Sequence, residues 1–215
     1  MDEITIAAHD FRYLLSRGYP RLGALTFVGN HYQLPKQERD ILGRGVYPET
    51  EALRRRGKLA GPEALGGRAL GVDGHNVLIT LENALQGRLL VDCDDGLVRD
   101  IAGAAASYRP SEITERALGL FMDYVIGRQV RSVLFLLDAP LSLSGELAAE
   151  VNAVMSGRGL MGRARAVPEP DEELFEFTGL VATSDSVLID RVATPIDLAG
   201  HIIREKLSGV VFRSV

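Results

Sequence analysis

The chain of 215 residues is long enough for one large domain, or for an ordinary domain with a small appendage, and its composition (46% hydrophobic, 25% charged) is that of a globular protein. A single cysteine, Cys93, excludes an internal disulfide framework and a multi-cysteine zinc site, and four scattered histidines (His9, His31, His75, His201) leave oxygen as the ligand for any metal. No apolar run approaches the ~18 residues of a membrane span, and the acidic opening MDEITIAAHD is unlike a basic signal peptide, so a cytoplasmic protein with no membrane partner is expected. The net charge of −5 is unevenly spread: residues 1–68 hold 11 basic and 8 acidic side chains, the remainder 13 and 21. A mildly basic front suits phosphate contact and an acidic body suits cations; solvated helix faces would produce the same counts.

Residues 1–16 place Ile4, Ile6, Phe11, Leu14 and Leu15 among polar residues, the pattern of an amphipathic helix that Arg17-Gly18-Tyr19-Pro20 ends. A second helical run, Leu22 to Val28, closes at Gly29-Asn30, and Leu34-Pro35-Lys36 opens a third. Three short helices make a small module that must pack on something larger. Arg17, Asn30, Arg39 and Arg44 fall around its turns and form a candidate phosphate-contacting patch, with arginine stems covering apolar surface as the alternative. The run Arg54-Arg55-Arg56-Gly57-Lys58 reads as linker, and Gly57 to Gly67 as the hinge. Residues 1–66 are thus module and linker, and 67–215 the main domain.

From Arg68 strands and helices alternate. Strand 69–73 leads to a helix from about His75 to Leu85, then Arg88 to Asp92 forms a second strand. Gly103 to Pro110 is a small-residue connection, and Ser111 caps a helix running to about Ile126. Ser132 to Leu137 is an apolar strand ending in Asp138; Ser144 starts a helix to about Met155; Arg163 to Val167 and Gly179 to Thr183 are further strands. A short helix, a turn near Thr194-Pro195 and a helix from about Ile196 to Leu207 complete the chain. Such alternation predicts an α/β fold with a mostly parallel sheet between two helical layers.

Three buried-looking strands run into acids: Asp73, Asp138 and Asp185. Parallel strands share one polarity, so these carboxylates fall along one edge, where α/β sheets bind ligands. Gathered carboxylates repel unless a proton or a hard cation intervenes, which points to Mg²⁺ or Mn²⁺ and to metal-assisted attack of water on a phosphodiester. Asp190 is a candidate fourth ligand, or a helix-surface acid paired with Arg191. Thr183 and Ser184 are placed to donate to a phosphate or to the acids, and Asn76 to orient Asp73 or a water. Ser142-Leu143-Ser144-Gly145 is a helix start able to receive an anion or simply a cap, and Gly157 to Gly162 is a connection that could border a groove.

The strings VDGHNVLIT, FLLDAPLSLSG and VATSDSVLIDR resemble the PIN-like nuclease superfamily over residues 68–208, and RYLLSRGYPRLGALTFVGNHYQL ahead of them is similar to an uncharacterised, largely archaeal family of unknown function. The resemblance implies a three-layer α/β/α PIN-like domain and a metal-dependent endoribonuclease with Asp73, Asp138, Asp185 and Asp190 at its site, Asn76, Ser184 and Thr183 in support, and RNA as partner. The chain departs from the pattern in the middle, where Glu112, Glu115 and the Asp94-Asp95 pair compete for the acid that a central helix usually supplies. A catalytically silent module that binds RNA or protein is the rival expectation, and an enzyme acting on a small phosphorylated metabolite in a closed apolar pocket is a third. The leucine-rich helices suit a homodimer face as well as a core.

Overall fold

The computed structural model of the chain describes residues 2–101 and 108–215. Most of the expected Gly103–Pro110 connection, residues 103–107, lies outside the described residues. At the centre is a five-stranded, wholly parallel sheet. Its strands are β1 (Ala69–Asp73), β4 (Ser132–Asp138), β5 (Gly162–Val167), β6 (Leu180–Ala182) and β7 (Pro195–Ile196), in the spatial order β5-β4-β1-β6-β7. The chain leaves β1 towards one edge and later returns to fill the other, so β1 sits where the winding reverses, the position at which open α/β sheets form a crevice. Leu70 and Val72 of β1, Val133, Phe135 and Leu137 of β4, and Leu180 and Ala182 of β6 face one side. There they meet α5 (Gly74–Leu85), α6 (Glu112–Gly127), α7 (Ser144–Gly157) and α10 (Leu198–Lys206). The intervening Leu134, Leu136 and Val181 face the other side, under α8 (Pro170–Phe175) and α9 (Ser186–Arg191). The period-two alternation of strand side chains thus supplies both cores, and the fold is the expected α/β architecture of a parallel sheet flanked by helices.

The front is helical, as expected, but holds four helices: α1 (Glu3–Ser16), α2 (Arg21–His31), α3 (Lys36–Gly45) and α4 (Glu49–Lys58). Two boundaries differ from the sequence reading. The second helix runs to His31, one residue past the expected Gly29-Asn30 close, and Arg39 donates there to the Gly29 carbonyl and the Asn30 side chain. Arg54 to Lys58 is no linker: Pro48 precedes α4, Glu49 and Glu51 occupy its first turn, and three basic residues occupy its last, the charge order a helix dipole favours. The hinge region contains a 3₁₀ turn, Pro62–Leu65, with Leu65 fully buried.

Leu90–Asp92, expected in the main sheet, is strand β2 of a separate three-stranded sheet with β3 (Val98–Asp100) and β8 (Phe212–Ser214), in the order β3-β2-β8. β4 and β6 occupy both edges of β1, which leaves β2 no place there, and the tight turn at Asp94–Gly96 returns the chain antiparallel to β2 as β3. Val91 and Cys93 on this sheet join Phe11, Val28, Ile41, Leu42 and Tyr47 in the core under the front helices. No helix among the described residues is long and apolar enough to cross a membrane.

An acidic cleft at the carboxyl edge of the sheet

The register β1–β4 pairs Asp73 with Leu136, so Asp138 stands two residues farther along β4; β1–β6 pairs Val72 with Ala182, so Asp185 follows three residues on. All three acids line one cleft of about 290 Å³, together with Asn76, Ser184 and Asp171. The turn that brings Asp73 there requires glycine next: a Cβ on Gly74 would lie 2.6 Å from the Leu136 carbonyl oxygen and 2.4 Å from the Phe135 ring. Asp73 occupies the N-cap of α5 yet makes no capping bond. Its Oδ2 accepts the Thr183 hydroxyl at 2.8 Å instead, and Thr183 Oγ1 in turn accepts the Asp185 amide at 3.0 Å. Burial, opposed by the Thr183 hydrogen bond and reinforced by Asp171, Asp138 and Asp185, pushes the Asp73 carboxyl up to about 7. Asp171 is raised for the same reason, burial first and then Asp185 and Asp138.

Asp185 does what an ordinary N-cap does, accepting the amides of Val187 (2.8 Å) and Leu188 (3.1 Å) through Oδ1. Asn76 Oδ1 accepts the Ser184 amide (2.8 Å) and hydroxyl (3.0 Å), pinning the start of α5 to the end of β6. Asp138 is met by His75, whose Nδ1 lies 3.0 Å from Oδ2 and 3.1 Å from the Asp138 backbone nitrogen. Nε2 of this buried ring has no hydrogen-bond partner among the described residues, and the ring packs edge-on against that of Tyr108. The Asp138 backbone N–H donates to Nδ1, which accepts it through the ring lone pair.

Other expectations fall away from the cleft. Asp190 is bound by Arg55 through Nε and Nη2 (2.8 Å each) and by Arg54 (2.7 Å), and these guanidinium groups hold it below the usual carboxylate range. Its oxygens are taken by α4, not by Arg191 and not by the site. Of the basic patch only Arg44 lines the cleft. Arg39 and Asn30 bond to each other, and Arg17 lies over the ring of Tyr13. Glu112 and Glu115 are exposed on α6. Ser144 Oγ donates to the carbonyls of Asp138 and Leu141, a structural use, and neither that helix start nor Gly157–Gly162 borders the cleft.

Asp94 and Asp95 form a turn, but a buried one. Asp94 accepts both Arg12 nitrogens at 2.7 Å and the Tyr47 amide at 3.1 Å. Asp95, fully buried, binds Arg99 twice (2.8 Å) and Arg55 (3.2 Å). Arg99 also donates to the Ser184 carbonyl at 2.7 Å, and the guanidinium groups of Arg21, Arg55 and Arg99 surround the Tyr47 ring at 4.6–5.1 Å. This clasp ties the front to the cleft wall. Arg99, Tyr47, His75 and Asp171 are site residues that sequence reasoning missed. An acid shortly past a strand's carboxyl end would have found Asp171, four residues after Val167; the others carry no local signal.

Among the described residues no three His, Cys, Asp or Glu side chains converge closely enough to hold one ion. The donor set still fits Mg²⁺ or Mn²⁺, since Mg²⁺ is commonly held by one or two carboxylates with waters and substrate phosphates completing the shell.

The fold and site together define an α/β protein with an acidic cleft at the reversal point of a parallel sheet. The chain belongs to the family described as "Domain of unknown function (DUF5616)", whose model matches residues 62–201, and residues 3–58 match "Protein of unknown function (DUF434)". A relative in the archaeon Methanocaldococcus jannaschii, "Uncharacterized protein MJ0935", is 35% identical over 199 residues, which cover 92% of this chain and 95% of the relative. No solved structure matches the chain.

Proposed function

We propose that the cleft is the hydrolytic centre of a divalent-metal-dependent, PIN-like endoribonuclease. The observation that carries this reading is the gathering of Asp73, Asp138, Asp171 and Asp185 around one opening, with Asp73 pushed up to about 7 by burial and by the other three. Such uncompensated charge is a common mark of a functional site. One or two of Asp73, Asp138 and Asp185, with waters and phosphate oxygens, would hold the ion, which when bound would lower the pKa of a water and neutralise charge on the phosphoryl group. The chain's own groups do the rest. Asp73 gives up its proton as a cation enters, Thr183 orients the carboxylate, His75 fixes Asp138, and Asp171 is the acid left to accept a proton from attacking water. Arg44 at the rim is the cation placed to hold a phosphate.

The test is cleavage of single-stranded RNA with Mn²⁺. Asp73→Asn and Asp185→Asn are each expected to abolish cleavage with circular dichroism unchanged; full cleavage by both variants removes the assignment. A silent RNA-binding module is the second reading, favoured by the absence of three convergent ligands among the described residues and by the use of Asp185 as a cap. It predicts RNA binding without turnover under any metal. A closed metabolite pocket is disfavoured by a lining in which Tyr47 and Ile79 are the main apolar members.

A further inference from the structure

The segment Thr183–Asp190 carries two groups of the cleft and is held in place from outside it. Thr183 donates to Asp73, and Asp185 lines the opening while its side chain caps α9. Leu188 and Ile189 bury the apolar side of α9. Apolar burial is non-directional, and six residues are too few for a helix to persist unaided, so the exact seat of α9 depends on its polar partners. Those partners belong to α4. Arg54 and Arg55 bond the Asp190 carboxylate, and Lys58 Nζ donates to the carbonyls of Ile189 (2.7 Å) and Asp190 (3.1 Å), which the end of a helix leaves without intrahelical partners. The other end of the segment is held by the same cluster. Arg99 donates to the Ser184 carbonyl and is fixed by Asp95, the carboxylate that also binds Arg55.

We propose that α4 is a positioning element of the cleft: Arg54, Arg55 and Lys58 fix α9, and α9 fixes where Asp185 meets the opening. Asp190 is then a positioning residue that acts through the two arginines. Both of its oxygens already accept from guanidinium groups, whose charge repels a cation, and bidentate pairing of this kind sets geometry as well as energy. The inference rests on the hydrolytic reading for what Asp185 does in the cleft, and on the hydrogen bonds alone for the coupling between α4 and Asp185.

Asp190→Asn and Asp190→Glu in the full chain test it. Asparagine removes the charge and one acceptor; glutamate keeps a carboxylate beside Arg54, which is half exposed and can adjust. In amide hydrogen exchange followed by NMR, without metal or RNA, Asp190→Asn is expected to speed exchange at Leu188 and Ile189 at least about tenfold while β1 and β4 keep wild-type rates, and Asp190→Glu to stay within about threefold. Lys58→Met, which removes the donor to the two carbonyls, is expected to speed the same two amides at least about threefold. In cleavage of single-stranded RNA with Mn²⁺, Asp190→Asn is expected to lower kcat at least about tenfold with KM within about twofold, and Asp190→Glu to keep at least about a third of the wild-type kcat. Unchanged exchange at Leu188 and Ile189 in Asp190→Asn, faster exchange spread evenly over the sheet, or a glutamate variant as slow as the asparagine variant overturns the proposal. So does full-rate cleavage by Asp190→Asn, which leaves the nuclease reading intact. Local loosening of α9 in a protein whose wild type cuts no RNA under any metal leaves the coupling standing and removes the nuclease.

Discussion

Asp73→Asn is expected to make the protein more stable at neutral pH even as it ends turnover. The native carboxyl keeps its proton up to about pH 7, against 3.8 for an ordinary aspartate. Between those limits the folded chain binds more protons than the unfolded chain, so stability falls as pH rises through the window and the loss is complete above it. At about 1.4 kcal/mol per pH unit, the distance from 3.8 to about 7 corresponds to at most about 4 kcal/mol. Asparagine carries no charge, and its Oδ1 can accept the Thr183 hydroxyl that now reaches Oδ2. Guanidinium unfolding of both proteins at pH 4, 6 and 8 reads the effect directly. The variant should match the wild type near pH 4, gain steadily to pH 7 and hold that gain at pH 8. A difference independent of pH, or a variant weaker than the wild type at pH 8, would show that Asp73 ionises freely and that its surroundings do not resist its charge.

Two further outcomes follow from the same geometry. Mg²⁺ or Mn²⁺ at pH 8 and a hundredfold excess over Kd should raise the unfolding free energy of the wild type by about 2.7 kcal/mol and leave Asp73→Asn nearly unmoved; equal rises in both would place cation binding away from Asp73. Asp95→Ala should cost about 3–5 kcal/mol, because it leaves Arg55 and Arg99 buried without their shared carboxylate, and a loss below about 1 kcal/mol by denaturant titration would refute that account.

What could be read from the chain alone was whatever is local. Leu70 to Asp73 and Val133 to Asp138 declare buried strands ending in acids through their own residue types, and a parallel sheet then forces those ends to one edge. Asp190 has the same local appearance, but its fate is decided by Arg55, 135 residues away in sequence, and no spacing reports that. The strand at Leu90–Asp92 was visible, whereas its sheet was not, since only the turn at Asp94–Gly96 and the distant Phe212–Ser214 determine where it pairs. Arg54 to Lys58 looked like linker because its apolar positions are few; the helix is held by charge pairs to Asp95 and Asp190 in place of an apolar stripe.

That substitution of charge for grease imposes a timetable on synthesis. Arg55 emerges from the ribosome early, but Asp190 follows 135 residues later. At ~5–20 residues per second the guanidinium waits on the order of ten seconds for its last carboxylate. Until then Arg55 has only Asp95 and Glu51 as carboxylate partners, so the charge cluster beside Tyr47 is completed only after residue 190 is made. The front helices are therefore translated before the residue that completes their charge pairs.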